Sequence, residues 1–194
     1  MSFFRSALLA LAALLPAMAM SAELEPLFAR LEGARRIVEG PAQPKSVVYV
    51  FFDPNCYYCN LTWRSLQPYE RAGLQARWVP VAYQKDNSAG MAAAMLLARV
   101  PTAALHENET RYRAKNYDGG VKPLAAVPPD IQRALDDNLA LMQSFGGQGT
   151  PVLVWKNAQG GIETRIAMPK LSDLPGITGL PAQKQDDPEL APFR

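Results

Sequence analysis

The two cysteines of this chain, Cys56 and Cys59, stand three positions apart in the segment FFDPNCYYCN, residues 51–60. A C-x-x-C pair can exchange a disulfide with another thiol, bind a soft metal ion, or close a small structural loop. The structural role is the weakest of the three, because a disulfide across so short a loop constrains the unfolded chain least. The pattern therefore favours chemistry at the two thiols.

A metal site is the main alternative for this pair. Zinc needs four ligands, whereas the chain has two thiols and one histidine, His106, in a distant predicted helix. Two thiols alone suffice for Cu(I), which prefers soft ligands. We predict thiol–disulfide exchange without metal or cofactor. A chaperone or Cu(I)-binding protein whose thiols do not turn over stays as the alternative.

The predicted elements around the pair explain why its thiols would react. Residues 47–52 form a continuous β-branched and aromatic run, typical of a strand buried on both faces, and Asp53-Pro54-Asn55 ends it. Cys56 then begins a predicted helix, where free N–H groups and the helix dipole lower a thiol pKa and leave the thiolate exposed. Cys59 lies one turn further on the same side. We therefore predict Cys56 as the nucleophile and Cys59 as the resolving thiol.

The remaining pattern predicts one α/β domain. Helices are predicted over residues 24–39, 90–99, 103–114 and 130–145, and strands over residues 76–83, 152–156 and 162–168, the last two forming a hairpin. The order strand, C-x-x-C, helix, strand, helical block, hairpin predicts a thioredoxin-like α/β fold. Its helical insertion lies between the second strand and the C-terminal β-hairpin.

Thr150-Pro151 directly precedes a predicted strand. A proline there removes a donor that a central strand would use, and an X-Pro bond adopts the cis form at little cost. In the thioredoxin architecture, a cis-proline at this point packs opposite the cysteine pair and offers backbone groups to a bound peptide. We therefore predict that Thr150 and Pro151 lie beside Cys56 and Cys59.

The N-terminal segment has the features of an export signal. Residues 1–22 carry one early positive charge, an apolar run over 7–20 and an A-x-A pattern at 17–19, which predicts a cleaved signal peptide. The run is shorter than the roughly 20 residues that a membrane-spanning helix needs, which favours a cleaved signal over an uncleaved membrane anchor. Residues 23–45 are predicted as an N-terminal helix or linker and 46–179 as the catalytic domain. Residues 180–194, rich in proline, charge and glutamine, are predicted as a flexible tail.

The composition argues against nucleic acid as a partner. The chain of 194 residues has 20 basic and 18 acidic residues, a formal net charge of +2. This balance gives no reason to expect nucleic acid as a partner.

Three stretches resemble the DsbC/DsbG family of periplasmic thiol:disulfide interchange proteins, and DsbG-type members most. They are VYVFFDPNCYYCNLTWRSLQP at 48–68, DNLALMQSFGGQGTPVLVW at 137–155 and RIAMPKLSDL at 165–174. The resemblance implies a periplasmic oxidoreductase or isomerase acting on client disulfides or sulfenic acids. It also implies a DsbD-like membrane electron donor, a redox pair of Cys56 and Cys59, and Thr150 with Pro151 beside them.

Two departures from that family shape the expectations. About 25 residues separate the predicted signal from the first predicted strand, too few for the family's N-terminal dimerisation domain, so a monomer is expected. Tyr57 stands where DsbG-like motifs have proline. Because the intervening dipeptide tunes the redox potential, Tyr57 and Tyr58 are expected to support the active site, and the direction of electron flow stays open.

Overall fold

The computed structural model of the protein describes residues 15–194. The helices are α1 (Leu15–Gly33), α2 (Tyr57–Ala72), α3 (Ser88–Leu96), α4 (Pro101–Thr110), α5 (Pro129–Ser144) and α6 (Leu174–Thr178). The strands are β1 (Ile37–Glu39), β2 (Ser46–Phe52), β3 (Leu74–Pro80), β4 (Val152–Lys156) and β5 (Ile162–Ile166). Three short 3-10 helices cover Ala114–Asn116, Leu171–Asp173 and Pro188–Phe193. The predicted order of elements from β2 to β5 is confirmed.

The five strands form one mixed sheet in the order β1-β3-β2-β4-β5. β2 and β3 are parallel and joined through α2, whereas β4 and β5 form the predicted antiparallel hairpin. β2 lies at the centre, where Val50 pairs with Trp78 of β3 on one side and with Leu153 of β4 on the other. The strand is therefore paired along both edges.

Alternating side chains of β2 separate two cores. Val48, Val50 and Phe52 pack with α2 and the helical insertion on one face, whereas Tyr49 and Phe51 pack with α1 and the end of α5 on the other. Successive strand residues point to opposite faces, so a continuous apolar run is buried on both. The predicted doubly buried strand is confirmed, and it brings the end of β2 to the first turn of α2.

Helix α2 has well-defined ends. Cys56 caps its N-terminus with an extended backbone, and Gly73 ends it in the left-handed conformation, at φ 119°. Glycine adopts that conformation without steric cost, and the Gly73 N–H donates to the Glu70 carbonyl. The buried face of α2 carries Trp63 and Tyr69, which pack in the core.

The N-terminal region differs from its prediction. The helix predicted over residues 24–39 ends at Gly33, and Ile37–Glu39 forms β1, antiparallel to β3, with Ile37 opposite Trp78. Ile37 and Glu39 are buried and Val38 is exposed, an alternation that suits an edge strand. The boundary predicted at residue 46 is therefore too late, because the sheet already begins at residue 37.

The predicted flexible tail, residues 180–194, is also wrong. Leu190 is fully buried against Leu61 of α2 and Met168. Asp187 accepts a hydrogen bond of 3.1 Å from Arg64 of α2. Composition predicted a loose segment, but one well-placed leucine and a few polar contacts hold the tail along α2.

The predicted signal peptide, residues 1–22, lies largely outside the described residues. Within residues 15–194, none of the helices has both the length and the apolar character required to cross a bilayer.

Candidate active site

Cys56 lies at the N-terminus of α2, where backbone donors converge. Its Sγ accepts a hydrogen bond of 3.1 Å from the backbone N–H of Cys59. Its carbonyl oxygen accepts hydrogen bonds from the N–H groups of Cys59 and Asn60, both at 3.1 Å. Because the first N–H groups of a helix have no partners within the helix, a thiolate at this position satisfies one of them.

Thr150 and Pro151 lie beside the cysteine pair. The peptide bond between them is cis. The carbonyl oxygen of Thr150 lies 3.4 Å from Sγ of Cys56 and accepts its S–H. Pro151 is buried, and its carbonyl accepts a hydrogen bond of 3.0 Å from the N–H of Ala167, just beyond β5. The hairpin therefore holds this turn against the cysteine pair.

The two thiols have opposite electrostatic environments. Hydrogen bonds from the Cys59 thiol and the Thr150 side chain, together with the one from the Cys59 backbone, lower the pKa of the Cys56 thiol against the opposing effect of burial. Burial raises the pKa of the Cys59 thiol well above its ordinary value, and the neighbouring Cys56 raises it further. This difference suits Cys56 as the attacking thiol.

Cys56 is less accessible than the sequence predicts. Its side chain is only 3% exposed, and Cys59 is 1% exposed. The turn at Thr150 lies over the sulfur, which helix position alone does not reveal. This turn therefore limits access to the sulfur.

Tyr57 and Tyr58 belong to a group of aromatic rings next to Cys56. We call the group of Tyr57, Tyr58, Tyr112, Tyr117 and Phe193 the aromatic rim; its ring centroids lie 5.5–6.4 Å apart in the contacting pairs. Tyr58 and Tyr117 are 52% and 59% exposed. The rim therefore offers apolar surface beside the thiols, built from α2, the insertion and the C-terminal segment.

Tyr83 and Gln84 support Thr150, and sequence analysis missed both. The backbone N–H of Thr150 donates to the Tyr83 hydroxyl at 2.8 Å, and this hydroxyl lies 3.0 Å from Thr150 Oγ1. The side-chain amide of Gln84 donates to the same Oγ1 at 3.1 Å. The sequence held no signal for these contacts, because the partners are more than sixty residues apart.

Asp53 connects residues 53–60, which contain the cysteine pair and are called the redox segment, to the loop that follows β3. One of its carboxylate oxygens accepts the backbone N–H groups of Tyr83 and Gln84, and the other accepts the N–H of Asn55 and the hydroxyl of Ser88. The carboxylate is 1% exposed. With both oxygens occupied by these donors, Asp53 fixes the turn, and this agrees with its interpretation as the Asp-Pro turn residue.

The helical insertion holds the residues on either side of the cysteine motif. The carbonyl of Asn55 accepts a hydrogen bond of 2.7 Å from the Tyr112 hydroxyl. The side-chain amide of Asn60 donates to the carboxylate of Glu109 at 2.9 Å and to its backbone carbonyl at 2.8 Å. Both asparagines lie next to the cysteine motif in the sequence, but the sequence does not show which residues of the insertion they contact. The insertion therefore positions the redox segment from both ends.

The described residues do not assemble a conventional metal site. Among residues 15–194, no group of three or more histidine, cysteine, aspartate or glutamate side chains is arranged to hold a metal ion. The imidazole of His106 instead pairs with the buried carboxylate of Glu39 and packs edge-on against Trp63, with ring centroids 5.3 Å apart. His106 therefore has a structural role.

Comparison with known proteins agrees with this geometry. The model of the thioredoxin-like domain family matches residues 34–169. The chain is 33% identical over 154 residues to the thiol:disulfide interchange protein DsbG of Pseudomonas aeruginosa, covering 79% of this chain and 59% of that protein. It is 27% identical over 154 residues to DsbG of Escherichia coli, covering 79% of this chain and 60% of that protein. The predicted resemblance to the DsbC/DsbG family is confirmed.

Solved structures show the same fold. A periplasmic thioredoxin-like protein from Salmonella enterica serovar Typhimurium superimposes with a TM-score of 0.63 at 20% identity, covering 79% of this chain and 94% of that one. The predicted thioredoxin-like α/β fold is confirmed. The chain spans 59% and 60% of the length of the two DsbG relatives, so the match concerns the part that contains the redox segment.

Proposed function

Since this chain belongs to the thioredoxin-like domain family, we propose that it is a DsbG-like thiol:disulfide oxidoreductase acting through Cys56 and Cys59. The observation that carries this proposal is the position of Cys56 Sγ. It lies between the N–H of Cys59 and the carbonyl of Thr150, while Cys59 is buried behind it. The N–H of Cys59 stabilises the Cys56 thiolate and so prepares this thiol to attack, whereas burial keeps Cys59 protonated until it is needed.

The proposed reaction proceeds in two exchanges. The Cys56 thiolate attacks one sulfur of a client disulfide, a bond forms between Cys56 and that sulfur, and the second client sulfur leaves as a thiolate that takes up a proton. Cys59 then loses its proton and attacks Sγ of Cys56, which releases the first client sulfur. The client disulfide is reduced to two thiols, and Cys56 and Cys59 are oxidised to a disulfide.

The same pair serves two related reactions. With a sulfenic acid as client, the Cys56 thiolate displaces the hydroxyl, which leaves as water after protonation, and Cys59 resolves the mixed disulfide. Run in reverse from the oxidised pair, the exchange donates a disulfide to two client thiols. Isomerisation requires the reduced pair, because its first step needs the free Cys56 thiolate.

The aromatic rim supports a role in binding client polypeptides. Its exposed members, Tyr58 and Tyr117, lie next to the redox segment and present their rings to solvent. Aromatic side chains bury a large area at low entropic cost and are common where flexible partners bind. We assign Thr150 and Pro151 to contacts with the client backbone near its reacting cysteine, with Tyr57 and Tyr58 beside them.

The cellular setting is part of the proposal. We place the protein in the periplasm, exported by residues 1–22 and kept reduced by a DsbD-like membrane donor. The export signal in the sequence and the family resemblance support this setting. Acid quenching of cells followed by alkylation with a mass-tagged maleimide tests it. A mostly reduced pair agrees with such a donor, and a mostly oxidised pair assigns the protein to disulfide donation.

Insulin reduction by the purified protein tests the enzymatic activity. We expect dithiothreitol-dependent precipitation of insulin chains to accelerate with the wild type and to return to the uncatalysed rate with Cys56→Ser. Cys59→Ser is expected to accumulate mixed disulfides with insulin through Cys56. A wild type that does not accelerate the reaction, or a Cys56→Ser variant that remains fully active, contradicts the proposal and favours a chaperone or Cu(I)-binding protein.

A further inference from the structure

A buried carboxylate in the helical insertion lies directly behind the redox segment. Glu109 of α4 is only 3% exposed. One of its oxygens accepts the side-chain amide of Asn60 at 2.9 Å, and the other accepts that of Asn108 at 2.9 Å. Each carboxylate oxygen thus has an N–H donor, and no lysine or arginine is hydrogen-bonded to it among the described residues.

These hydrogen bonds link the insertion to the first turn of α2. Asn60 directly follows Cys59, and its amide also donates to the backbone carbonyl of Glu109 at 2.8 Å. Asn108 donates to the carbonyl of Pro54 at 3.0 Å, just before the motif. Glu109 therefore connects, through two asparagines, the segments on both sides of the cysteine pair.

We propose that Glu109 is a positioning residue for the redox pair, and that protonation of its carboxylate lowers the reactivity of Cys56. The ionised carboxylate accepts both amides. When one oxygen is protonated it becomes a donor facing an amide donor, so one of the two hydrogen bonds is lost. The first turn of α2 is then held less firmly, and its N–H groups stabilise the Cys56 thiolate less.

The surroundings of Glu109 place this change near neutral pH. Burial raises its pKa to about 7, against the opposing effect of the amides of Asn60 and Asn108. Other groups acting on it are Glu39 of β1, which raises its pKa, and Arg64 of α2, which lowers it. Another ionisable neighbour is Tyr112, two residues beyond the end of α4, whose own pKa burial raises. The carboxylate is therefore ionised above neutral pH and protonated below it.

The pH dependence of Cys56 alkylation tests this role. The reduced full-length protein is treated with iodoacetamide, and the rate of Cys56 alkylation is measured against pH. Titration of a single thiol predicts a certain fall in this rate below neutral pH. For the wild type we expect a rate that is lower than this prediction by a further factor of about three. Glu109→Gln, which has no ionisable group, is expected to show a single-thiol profile. Glu107→Gln, an exposed position on the same helix, is the matched control and is expected to keep the wild-type profile.

Side-chain amide resonances give a second readout. In ¹H–¹⁵N spectra, the amides of Asn60 and Asn108 are expected to shift with a midpoint near neutral pH in the wild type and not in Glu109→Gln. Asn60→Ala is expected to abolish the additional step in alkylation while the Asn108 amide still titrates. This variant decides the question if Glu109→Gln does not fold.

The proposal is overturned if the wild type and Glu109→Gln give superimposable alkylation profiles, or if Cys56 reacts faster when Glu109 is protonated. It builds on the proposed exchange at Cys56. Alkylation, however, requires only a reactive thiol. If the wild type does not reduce insulin but the alkylation profiles are as expected, the proposed function is contradicted and the role of Glu109 is retained.

Discussion

The Sγ atom of Cys56 lies 3.4 Å from the carbonyl oxygen of Thr150, although 94 residues separate them in the chain. Two parts of the fold create this contact. The N-terminus of α2 fixes the sulfur, and the turn before β4 fixes the carbonyl. Since the Tyr83 hydroxyl accepts a hydrogen bond from the backbone N–H of Thr150, the geometry at the sulfur also depends on a residue that belongs to neither element.

Removing the Tyr83 hydroxyl is expected to impair the active site without unfolding the protein. In Tyr83→Phe, the N–H of Thr150 loses its acceptor, and the turn is positioned less accurately over Cys56. We expect insulin reduction to slow by about threefold to tenfold, since one hydrogen bond contributes about 1 kcal/mol. Tyr69→Phe, at a tyrosine in the last turn of α2 whose hydroxyl accepts the N–H of Gln183 at 3.4 Å, is the control and is expected to retain wild-type activity. Equal rates for wild type and Tyr83→Phe contradict this account of the turn.

The buried Glu39 and the half-buried Glu70 lie close together, and this pair predicts a stability that depends on pH. Burial, and then the nearby Glu39 carboxylate, raise the pKa of Glu70 from 4.5 to about 9. Between these values the unfolded chain releases the Glu70 proton and the folded protein retains it. Fewer protons are then bound in the unfolded state, so the free energy of unfolding falls as pH rises through this range.

Glu70→Gln is therefore expected to stabilise the protein increasingly with pH. The gain should be small near pH 4.5 and reach at least about 1 kcal/mol near pH 8. Urea denaturation at several pH values measures it. Glu32→Gln, at an exposed position of α1, is expected to show no such trend. A Glu70→Gln variant with constant or decreasing relative stability as pH rises contradicts the assigned pKa shift.

The C-terminal segment is expected to contribute to global stability. Leu190 is fully buried against Leu61 and Met168. Leu190→Ala should lower the free energy of unfolding by about 2–4 kcal/mol, because it leaves a cavity in a packed cluster. Leu97→Ala, at a residue that is 47% exposed, should cost much less. Similar small losses in both variants would show that the segment does not pack as described.

The close approach of the insertion to the redox segment predicts that Gly119 tolerates no side chain. A Cβ atom there would lie 2.1 Å from Asn108 Oδ1 and 2.5 Å from the carbonyl of Pro54. Gly119→Ala is expected to destabilise the protein by about 1–3 kcal/mol and to slow Cys56 alkylation. Gly176→Ala, where an added Cβ meets no atom within 4 Å, is the control. A fully stable, fully reactive Gly119→Ala variant contradicts this packing.

The parts of the fold that sequence analysis predicted are those with strong local signals. The β4 strand has the predicted bounds, because Val152–Lys156 is a short apolar run directly after a proline. Ile37–Glu39 was assigned to a helix, because its apolar spacing fits either structure and only the free edge of β3 decides between them. The C-terminal segment was missed because its composition is polar and a single buried leucine anchors it.

In the site, too, the residues marked by a local sequence motif were predicted, and those that act through contacts with distant segments were not. Cys56, Cys59, Thr150 and Pro151 were identified because a spaced motif and a proline before a strand are visible in one dimension. Tyr83 and Glu109 were not, since each acts through a contact with a distant segment. A tyrosine after a strand and a glutamate in a helix are common in any sequence. Only the fold shows that these two lie near the redox segment.

The central claim is that Cys56 is the reactive thiol and Cys59 the protected one. Brief alkylation of the reduced protein with limiting iodoacetamide at neutral pH, followed by peptide mass spectrometry, tests it most directly. We predict that Cys56 is modified faster than Cys59 by about a hundredfold or more, because hydrogen bonds stabilise its thiolate whereas burial keeps Cys59 protonated. Equal modification of the two, or preferential modification of Cys59, would contradict the account.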